Sequence, residues 1–254
     1  MTPSLETRGL TIRFGGHVAV DHVSCAFRPG ELTAIVGPNG AGKTTYFNLI
    51  SGQLRASDGA VLIEGQDVTH FSAPQRTRLG LGRAFQLTNL FPRLSVAENV
   101  RLAVQAHAGV HYDMRWPWRS SMHLIRRADA VLESVGLAGR RDALASALPH
   151  GDQRKLEVAM MIALEPKVFM FDEPTAGMSV DEAPVVLDLI ARLKADKTKT
   201  ILLVEHKMDV VRSLADRIIV LTSGQLAADG DPASVIASPI VQEAYLGIAP
   251  GKAA

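Results

Sequence analysis

Short apolar runs alternate with helical patterns along much of the chain, and this alternation predicts a parallel sheet with crossover helices. Four of the runs are almost wholly apolar, as strands covered on both faces of a sheet are. We expect these runs to be the central strands of an α/β core: Leu32 to Val36, Val168 to Phe171, Ile201 to Val204 and Ile218 to Leu221.

Three segments nearer the N-terminus instead mix polar with apolar residues: Leu5 to Phe14, Val18 to Phe27 and Val61 to Glu64. A mixed pattern of this kind is typical of an antiparallel sheet with one face exposed. We therefore predict an N-terminal antiparallel β-subdomain that packs beside the parallel sheet.

Between about residues 87 and 154 no long apolar run occurs, and helix-like segments dominate, over Val96 to His107 and His123 to Val135. We predict a single domain over 1–254, in which 87–154 form an inserted helical subdomain. The core with its β-subdomain comprises 1–86 and 155–235, and 236–254 form a C-terminal tail. Capping residues predict three helix starts, at Ser95 with Glu98, Ser179 with Glu182, and Asp231 with Pro232.

Composition narrows the classes of protein that fit. The 254 residues can bury a sizeable core. Lys and Arg number 27 against 26 Asp and Glu, so the net charge of +1 lacks the basic excess of a dedicated nucleic-acid binder. The single cysteine, Cys25, excludes an internal disulfide framework and favours a reducing compartment. No stretch approaches the roughly 20 apolar residues of a transmembrane helix, and the N-terminus has no signal-peptide pattern.

An eight-residue motif directly follows the predicted strand Leu32 to Val36 and matches the P-loop pattern G-x-x-x-x-G-K-[ST]. Glycines let the backbone wrap a phosphate group, and N–H groups at the start of the next helix meet the anion. Lys43 is expected to reach the β- and γ-phosphates of ATP, and the hydroxyl of Thr44 to bind Mg²⁺. The predicted nucleotide-binding residues here are Gly37, Pro38, Asn39, Gly40, Ala41, Gly42, Lys43, Thr44 and Thr45.

Two acidic residues, Asp172 and Glu173, follow the apolar run that begins at Val168. Open α/β sheets bind their ligands at the carboxyl ends of the strands, where these residues are expected to lie. Asp172 would there hold Mg²⁺, and Glu173 would accept a proton from an attacking water. Alone, such a pair more often begins a solvated loop. Combined with the P-loop, it predicts a site of ATP hydrolysis.

With these motifs the chain resembles the ATP-binding cassette family over nearly its whole length. The resemblance implies a P-loop NTPase core of the RecA-like type and three further site residues. Phe14 lies where members stack an aromatic ring on adenine; the alternative is a buried strand residue. Gln86 resembles the Q-loop glutamine, which senses Mg²⁺ and the attacking water; the alternative is a polar hinge residue. His206 resembles the switch histidine at the γ-phosphate; the alternative is a structural histidine.

The family's signature motif, LSGGQ, is altered here to Leu148-Pro149-His150-Gly151-Asp152. The resemblance implies that two cassettes dimerise head to tail and that the signature of one contacts the γ-phosphate bound to the other. Proline has neither a hydroxyl nor a backbone N–H, so the site that this signature completes is expected to lack a contact. Gly151 and the following helix N-terminus remain available to that nucleotide in trans. His150 and Asp152 either compensate or lie in solvent.

The segment after Glu173, from Pro174 to Ser179, resembles the D-loop of the family. Ser179 stands where many members carry aspartate, and the alternative to a role between two ATP sites is the helix cap predicted above. This departure bears on communication between the sites, and it leaves the prediction of nucleotide binding unchanged.

Several stretches resemble the ATPase subunits of importers for branched-chain and other hydrophobic amino acids: Phe14 to Gly16, Arg83 to Val100, Ala176 to Met178 and Ala244 to Gly247. That resemblance implies a peripheral protein on the cytoplasmic face of the inner membrane. Two different ATPase subunits would pair beneath two membrane permease subunits and serve a periplasmic solute-binding protein. A heterodimer would accommodate the weak signature, and the partners would select the ligand.

Other assignments stay open at this point. The same branch includes urea and amide importers and lies near the lipopolysaccharide-export ATPase. A non-transport member acting in DNA repair or on the ribosome is disfavoured by the absence of sustained heptads and the single P-loop. A regulatory subunit with little turnover conflicts with the intact acidic pair, although Pro149 favours it. The segment His107 to Arg119, with both tryptophans, either docks a membrane subunit or packs on its own domain.

Overall fold

The computed structural model describes residues 2–84, 90–109, 122–239 and 241. The chain forms two compact units. The first, which we call the core unit, comprises Met1–Leu81, Lys167–Glu173 and Ala191–Ala254. The second, the helical unit, comprises Gly82–Pro166 and Pro174–Ile190. Each unit is therefore built from segments that are distant in the sequence.

The elements of the described residues follow in chain order. The strands are β1 (Leu5–Phe14), β2 (His17–Phe27), β3 (Leu32–Val36), β4 (Asp58–Ile63), β5 (Gln66–Asp67), β6 (Leu81–Ala84), β7 (Val168–Asp172), β8 (Thr200–Val204), β9 (Arg217–Thr222) and β10 (Gln225–Gly230). The helices are α1 (Lys43–Ser51), α2 (Ala73–Arg78), α3 (Val96–His107), α4 (Met122–Ser134), α5 (His150–Ala163), α6 (Ala183–Ala195), α7 (Met208–Leu214) and α8 (Pro232–Ile236).

The larger sheet has six strands in the order β10-β9-β3-β8-β7-β6. β3 pairs in parallel with β8 and β9, and β7 pairs in parallel with β8. The four predicted central strands are thereby confirmed, and every residue of β3, β7 and β8 is buried. β6 and β10 are missing from the prediction because they lack a continuous apolar run. β10 is antiparallel to β9 and partly exposed, as an edge strand is.

The smaller sheet has the order β2-β1-β4-β5, and its neighbouring strands are antiparallel. This confirms the predicted antiparallel sheet, with one displaced strand. β4 runs over Asp58–Ile63, whereas the prediction placed the strand at Val61 to Glu64. Glu64 and Gly65 have φ values of 49° and 81°, so they form the turn into β5 instead of extending β4.

Helix α1 packs its apolar side chains into the main core of the core unit. Fully burying one such side chain contributes about 1.5–3 kcal/mol relative to leaving it exposed. This core also contains residues of both sheets, and packing against them holds α1 in place directly after β3. Its members include Tyr46, Phe47, Leu49 and Ile50 of α1 together with Leu5, Phe27, Val61, Ile35, Met170 and Leu202 of the sheets.

The carboxyl end of α1 is held by Arg76 of α2. The guanidinium donates hydrogen bonds to the carbonyls of Leu49 and Ile50, at 2.7 and 2.6 Å, and to those of Thr69 and Phe71, at 2.8 and 3.1 Å. Arg76 is only 2% exposed, and burial lowers its pKa to about 10. A cation is favourable here because the carboxyl end of a helix is the negative end of its dipole.

The single cysteine lies in the same core. The N–H of Cys25 donates to the hydroxyl of Thr7 at 3.1 Å, and that hydroxyl lies 2.7 Å from the hydroxyl of Tyr46. Cys25 is buried, and burial raises the pKa of its thiol to about 11. The residue therefore behaves as a small apolar member of the core.

In the helical unit, α3 contacts both α4 and α5. The buried residues on these helices include Val100, Val104, Leu124, Ala128, Leu132, Leu156 and Ala159. The cap predicted at Ser95 is confirmed, because its hydroxyl accepts a hydrogen bond from the N–H of Glu98 at 3.2 Å. Asp231 of the core unit likewise caps α8 through the N–H of Ser234 at 3.0 Å. None of the helices in the described part of the chain combines the length and apolar character that a membrane crossing requires.

Candidate active site

The predicted P-loop lies between β3 and α1 in the core unit. α1 begins at Lys43, after Gly42, whose φ of 93° is in the left-handed region. Among the described residues no side chain caps this helix by a hydrogen bond, and its first turn contains no acidic residue. The first amide groups of α1, at the positive end of its dipole, thus face a position suited to an anion.

Lys43 lies over the loop that precedes it. Its Nζ donates hydrogen bonds to the carbonyls of Gly37 and Pro38, at 2.7 and 3.0 Å. Burial lowers the pKa of this ammonium group, while the carboxylates of Glu173 and Asp172 act in the opposite direction. The structure therefore brings Lys43 and the predicted acidic pair into one electrostatic environment.

The two acidic residues lie at the carboxyl end of β7, next to the end of β8. Asp172 is the last residue of β7, is 3% exposed and stands opposite Val204. The N–H of Glu173 donates to the Val204 carbonyl at 3.0 Å. Glu173 has a φ of 50°, a conformation that costs a non-glycine residue on the order of 1–3 kcal/mol.

His206 lies beside this acidic pair, just beyond β8. Its Nδ1 is 3.9 Å from the Oε1 of Glu173, and its side chain is 53% exposed. The side chain is therefore not part of the buried core. Its position leaves the imidazole available to a ligand and close to the carboxylate that is predicted to act on water.

Glu205, which no sequence pattern indicated, positions the backbone beneath His206. It is 1% exposed, and its Oε2 accepts hydrogen bonds from the N–H groups of His206 and Lys207, at 2.7 and 3.2 Å. The same oxygen is 3.5 Å from the His206 Nδ1. A charged residue directly after the apolar strand β8 was the sequence signal that could have found it.

The oxygen-bearing side chains of Thr44 and Asp172 are of the kind that a hard divalent cation prefers. Thr44 is exposed on the first turn of α1, and Asp172 ends β7. Within the described residues, no group of three or more His, Cys, Asp and Glu side chains is placed to hold a metal ion. One hydroxyl and one carboxylate fit Mg²⁺, which binds through few protein ligands when phosphates and water supply the others. The third predicted ligand, Gln86, lies outside the described residues.

The remaining predicted nucleotide contacts lie at accessible positions. Phe14 ends β1 opposite His17 and is 50% exposed, which excludes the alternative of a buried strand residue. Asn39 and Gly40 are exposed at the tip of the P-loop, and Thr45 is half-buried. An exposed ring at Phe14 has a free face on which a base can stack.

The altered signature begins helix α5 in the helical unit. Pro149 is its N-cap residue, and the first turn carries Asp152. The N–H of Gly151 donates to the Oε1 of Glu182 at 3.2 Å. Asp152 pairs with Lys155 at 2.7 Å, and His150 is exposed. Asp152, a negative charge in the first turn of α5, is favourable at the positive end of that helix.

Ser179 and Glu182 make the reciprocal hydrogen bonds of the predicted capping box, in a turn that directly precedes α6 at Ala183. Glu182 Oε2 accepts from the N–H and the hydroxyl of Ser179, both at 3.1 Å, and the Glu182 N–H donates back to that hydroxyl at 3.3 Å. The Ser179 N–H is the main cause of the lowered pKa of the Glu182 carboxyl. One carboxylate thus joins the D-loop-like segment to the first turn of α5.

Comparison with known proteins agrees with this arrangement. A model described as ABC transporter matches residues 20–176. The chain is 38% identical over 250 residues to the high-affinity branched-chain amino acid transport ATP-binding protein LivG of Escherichia coli, covering 96% of this chain and 98% of that protein. It is 35% identical over 250 residues to BraF of Pseudomonas aeruginosa, which is also described as a high-affinity branched-chain amino acid transport ATP-binding protein, with the same coverage.

A solved structure shows the same fold. The ADP conformation of an ATP-binding cassette of an ABC transporter matches with a TM-score of 0.83 at 30% identity, covering 98% of this chain and 100% of that one. The chain therefore belongs to the ABC transporter family. Within it, the chain is an ATP-binding cassette, the subunit that binds and hydrolyses ATP. The predicted P-loop NTPase fold is confirmed.

Proposed function

We propose that the chain is the ATPase subunit of an importer for branched-chain or other hydrophobic amino acids. The observation that supports the substrate class is similarity over 96% of the chain to two relatives whose names specify branched-chain amino acid transport. The grouping of Lys43, Asp172, Glu173 and His206 in the core unit supports the chemistry.

In this proposal the P-loop binds the phosphates of ATP. The ammonium of Lys43 exchanges its two carbonyl partners for phosphate oxygens, which are stronger acceptors because they carry charge. The amide groups at the start of α1 donate to the same phosphates. Phe14 stacks on the adenine ring from its exposed position at the end of β1.

Thr44 and Asp172 are the described residues that would hold Mg²⁺, with Gln86 as the predicted third ligand. The cation, when bound, supplies neutralising charge to the phosphate oxygens. The two protein ligands come from different elements, the first turn of α1 and the end of β7. The loop before α1 follows β3, and Asp172 ends β7, so both ligands come from the carboxyl ends of parallel strands, where open α/β sheets bind ligands.

Hydrolysis is assigned to Glu173 and His206. The Glu173 carboxylate accepts a proton from the attacking water, and its strained backbone fixes where that carboxylate lies. His206 orients toward the terminal phosphate, with its backbone held by Glu205. Water that loses its proton to Glu173 attacks the γ-phosphate, and ADP leaves.

We further propose that the chain works in a pair with a second, different ATPase subunit. In a head-to-tail pair, the Gly151 amide group and the start of α5 would approach the nucleotide bound by the partner. Pro149 removes a donor from that contact. A partner with an intact signature would then complete the ATP site of this chain, which carries the full set of catalytic residues.

The pair is proposed to act beneath two permease subunits that cooperate with a periplasmic solute-binding protein, on the cytoplasmic face of the inner membrane. The helical unit offers an apolar cavity of about 340 Å³. Its described lining includes Phe91, Leu102, Ala106, Met160 and Leu164. We assign this cavity to a cytoplasmic helix of a permease subunit, whose apolar face would fill it.

Two variants, each with one alanine replaced by arginine, test the assignment of the cavity to a permease helix. Ala106→Arg fills the cavity from the exposed side of α3, and Ala130→Arg places the same side chain on the exposed face of α4, away from the cavity. We expect Ala106→Arg to reduce ATP-driven uptake at least about tenfold while the ATPase rate of the detergent-free cassette pair stays within twofold. Equal effects of the two variants on uptake would remove the assignment.

The main proposal is tested in vesicles that contain the permease subunits and both ATPase subunits. We expect ATP-dependent uptake of leucine, and a fall of about a hundredfold or more in ATPase rate for Glu173→Gln, because general-base catalysis is worth that much. Unchanged ATPase in Glu173→Gln would exclude this residue as the base. Uptake of urea instead of leucine, with the ATPase rate unchanged, would overturn the proposed substrate class and leave the proposed ATPase chemistry in place.

A further inference from the structure

The turn between β9 and β10, formed by Ser223 and Gly224, is bonded to the P-loop. The N–H of Gly224 donates to the carbonyl of Ala41 at 3.1 Å. On its other side, the Gly224 carbonyl accepts from the N–H of Asp21 in β2 at 2.8 Å. All four residues belong to the core unit. The turn therefore connects the phosphate-binding loop to the smaller sheet.

The backbone packing at this point leaves no room for a side chain. A Cβ atom added to Gly224 would lie 2.7 Å from the carbonyl oxygen of Ala19, and one added to Gly42 would lie 2.4 Å from the same oxygen. The Gly42 Cβ would also lie 3.4 Å from the Cα of Gly224. Contacts shorter than 3 Å to a backbone atom force the backbone to move, so Gly224, Ala19 and Gly42 fix one another's positions.

We infer that Gly224 is a positioning residue of the nucleotide site. Gly42 is the N-cap of α1, and its φ of 93° sets the direction of the first amide groups of that helix. The Gly224 N–H restrains the Ala41 carbonyl, which belongs to the peptide group before Gly42. With the loop held in its binding conformation, ATP pays less ordering entropy on binding. The inference rests on ATP binding by this chain and is independent of the transported substrate.

The chain contains a matched control for this role. The turn between β4 and β5, formed by Glu64 and Gly65, has φ values of 49° and 81°, and Ser223 and Gly224 have 50° and 79°. A Cβ added to Gly65 meets no atom within 4 Å in the described part of the chain. Both turns are also followed by glutamine. Alanine at either glycine causes similar local strain, but only Gly224 touches the P-loop.

The experiment compares Gly224→Ala with Gly65→Ala in the purified chain, using a fluorescent ATP analogue. We expect Gly224→Ala to weaken binding of the analogue at least about fivefold, and Gly65→Ala to change it less than twofold. In the assembled ATPase, Gly224→Ala should raise KM for ATP by a similar factor and leave kcat within about twofold. Equal losses of affinity in the two variants would overturn the inference, whereas failure of the wild type to bind would instead overturn ATP binding itself.

A second pair of variants covers the case in which Gly224→Ala does not fold. The Nε2 of Gln225 donates to the Oδ2 of Asp21 at 2.8 Å and so ties the turn to β2 without backbone strain. Gln225→Ala is expected to weaken analogue binding about two- to threefold. The corresponding variant in the control turn, Gln66→Ala, is expected to have no effect. Unchanged binding in Gln225→Ala together with unchanged KM would contradict a positioning role for this turn.

Discussion

Helices α1 and α5 both begin at predicted nucleotide contacts, but only the first turn of α5 contains or bonds a carboxylate of its own chain among the described residues. The first turn of α1 follows Gly42 and contains no acidic residue. The first turn of α5 follows Pro149, contains Asp152 and is bonded through Gly151 to the carboxylate of Glu182. α1 thus presents its positive end to an external anion, whereas α5 is already neutralised by carboxylates of its own chain.

In the proposed head-to-tail pair, this difference separates two tasks. The nucleotide that the chain binds itself meets a helix start with no competing carboxylate in its first turn. A partner's γ-phosphate that approaches α5 has to compete with Glu182 for the Gly151 amide group. Contact in trans is therefore expected to be the weaker and more readily adjusted of the two interactions.

The largest difference in effect is expected between two lysines, one near the start of each helix. Lys43→Ala removes charge-assisted hydrogen bonds to the phosphates, each worth about 1.5–3 kcal/mol, so ATP affinity should fall about a hundredfold. Lys155 instead pairs with Asp152 at 2.7 Å on α5. Lys155→Ala should leave the affinity of the isolated chain for ATP within twofold, measured by calorimetry. A comparable loss in both variants would show that α1 is not the principal phosphate site.

The carboxyl ends of the same two helices provide the next comparison. Buried Arg76 donates to Leu49 and Ile50 of α1. After α5, the half-exposed His107 lies with its Nδ1 2.8 Å from the Leu164 carbonyl and its Nε2 3.6 Å from the Glu165 carboxylate. Arg76→Met should lower the free energy of unfolding by about 2–4 kcal/mol, because it leaves buried carbonyls without their donor.

His107→Ala is the matched change at the end of α5. It should lower the free energy of unfolding by less than about 1 kcal/mol, because water can replace the imidazole at an exposed carbonyl. Denaturant unfolding of both variants measures the difference. If both variants lose the same free energy of unfolding, burial of the bonded carbonyls is not what makes the contact of Arg76 stronger than that of His107.

A smaller change is expected at the altered signature. Pro149→Ser restores a hydroxyl and a backbone N–H at the start of α5, so the ATPase rate of the chain with its partner cassette should rise about three- to tenfold. Pro74→Ser, at the first turn of α2, is the control proline and should leave the rate unchanged. A rate that stays the same or falls in Pro149→Ser would show that the proline is not the weak element.

The smallest expected effect concerns competition at Gly151. Glu182→Gln removes the charge that α5 already meets, so the ATP concentration for half-maximal turnover of the assembled pair should fall about two- to threefold. Asp181→Asn, on an exposed neighbour, should leave it unchanged. If Glu182→Gln instead raises the required ATP concentration, the carboxylate supports the contact in trans and does not compete with it.

The sequence predicts those parts of the molecule in which a local pattern specifies a position. The P-loop and the acidic pair each follow a fully buried parallel strand, and the carboxyl ends of such strands meet at one edge of a sheet. The strained backbone of Glu173 leaves no comparable signal. The edge strands β6 and β10 lack an apolar run, so no pattern marks them.

Contacts between distant residues could not be predicted in the same way. The bond from Gly151 to Glu182 spans 31 residues, and the bond from Gly224 to Ala41 joins a hairpin turn to a loop far before it. In both cases the donor is a backbone N–H, which every residue except proline carries. The residue type therefore gives no indication of the partner, and only the folded chain shows it.

The inert state of Cys25 has a practical consequence for measuring motion in this protein. Burial raises the pKa of its thiol to about 11 and leaves the side chain 5% exposed, so the thiol is protonated near neutral pH and shielded from reagents. A cysteine introduced at an exposed position would therefore be labelled by maleimide dyes without first removing the native one. Such a label, placed in either unit, would report changes in its own surroundings during turnover in an otherwise unaltered chain.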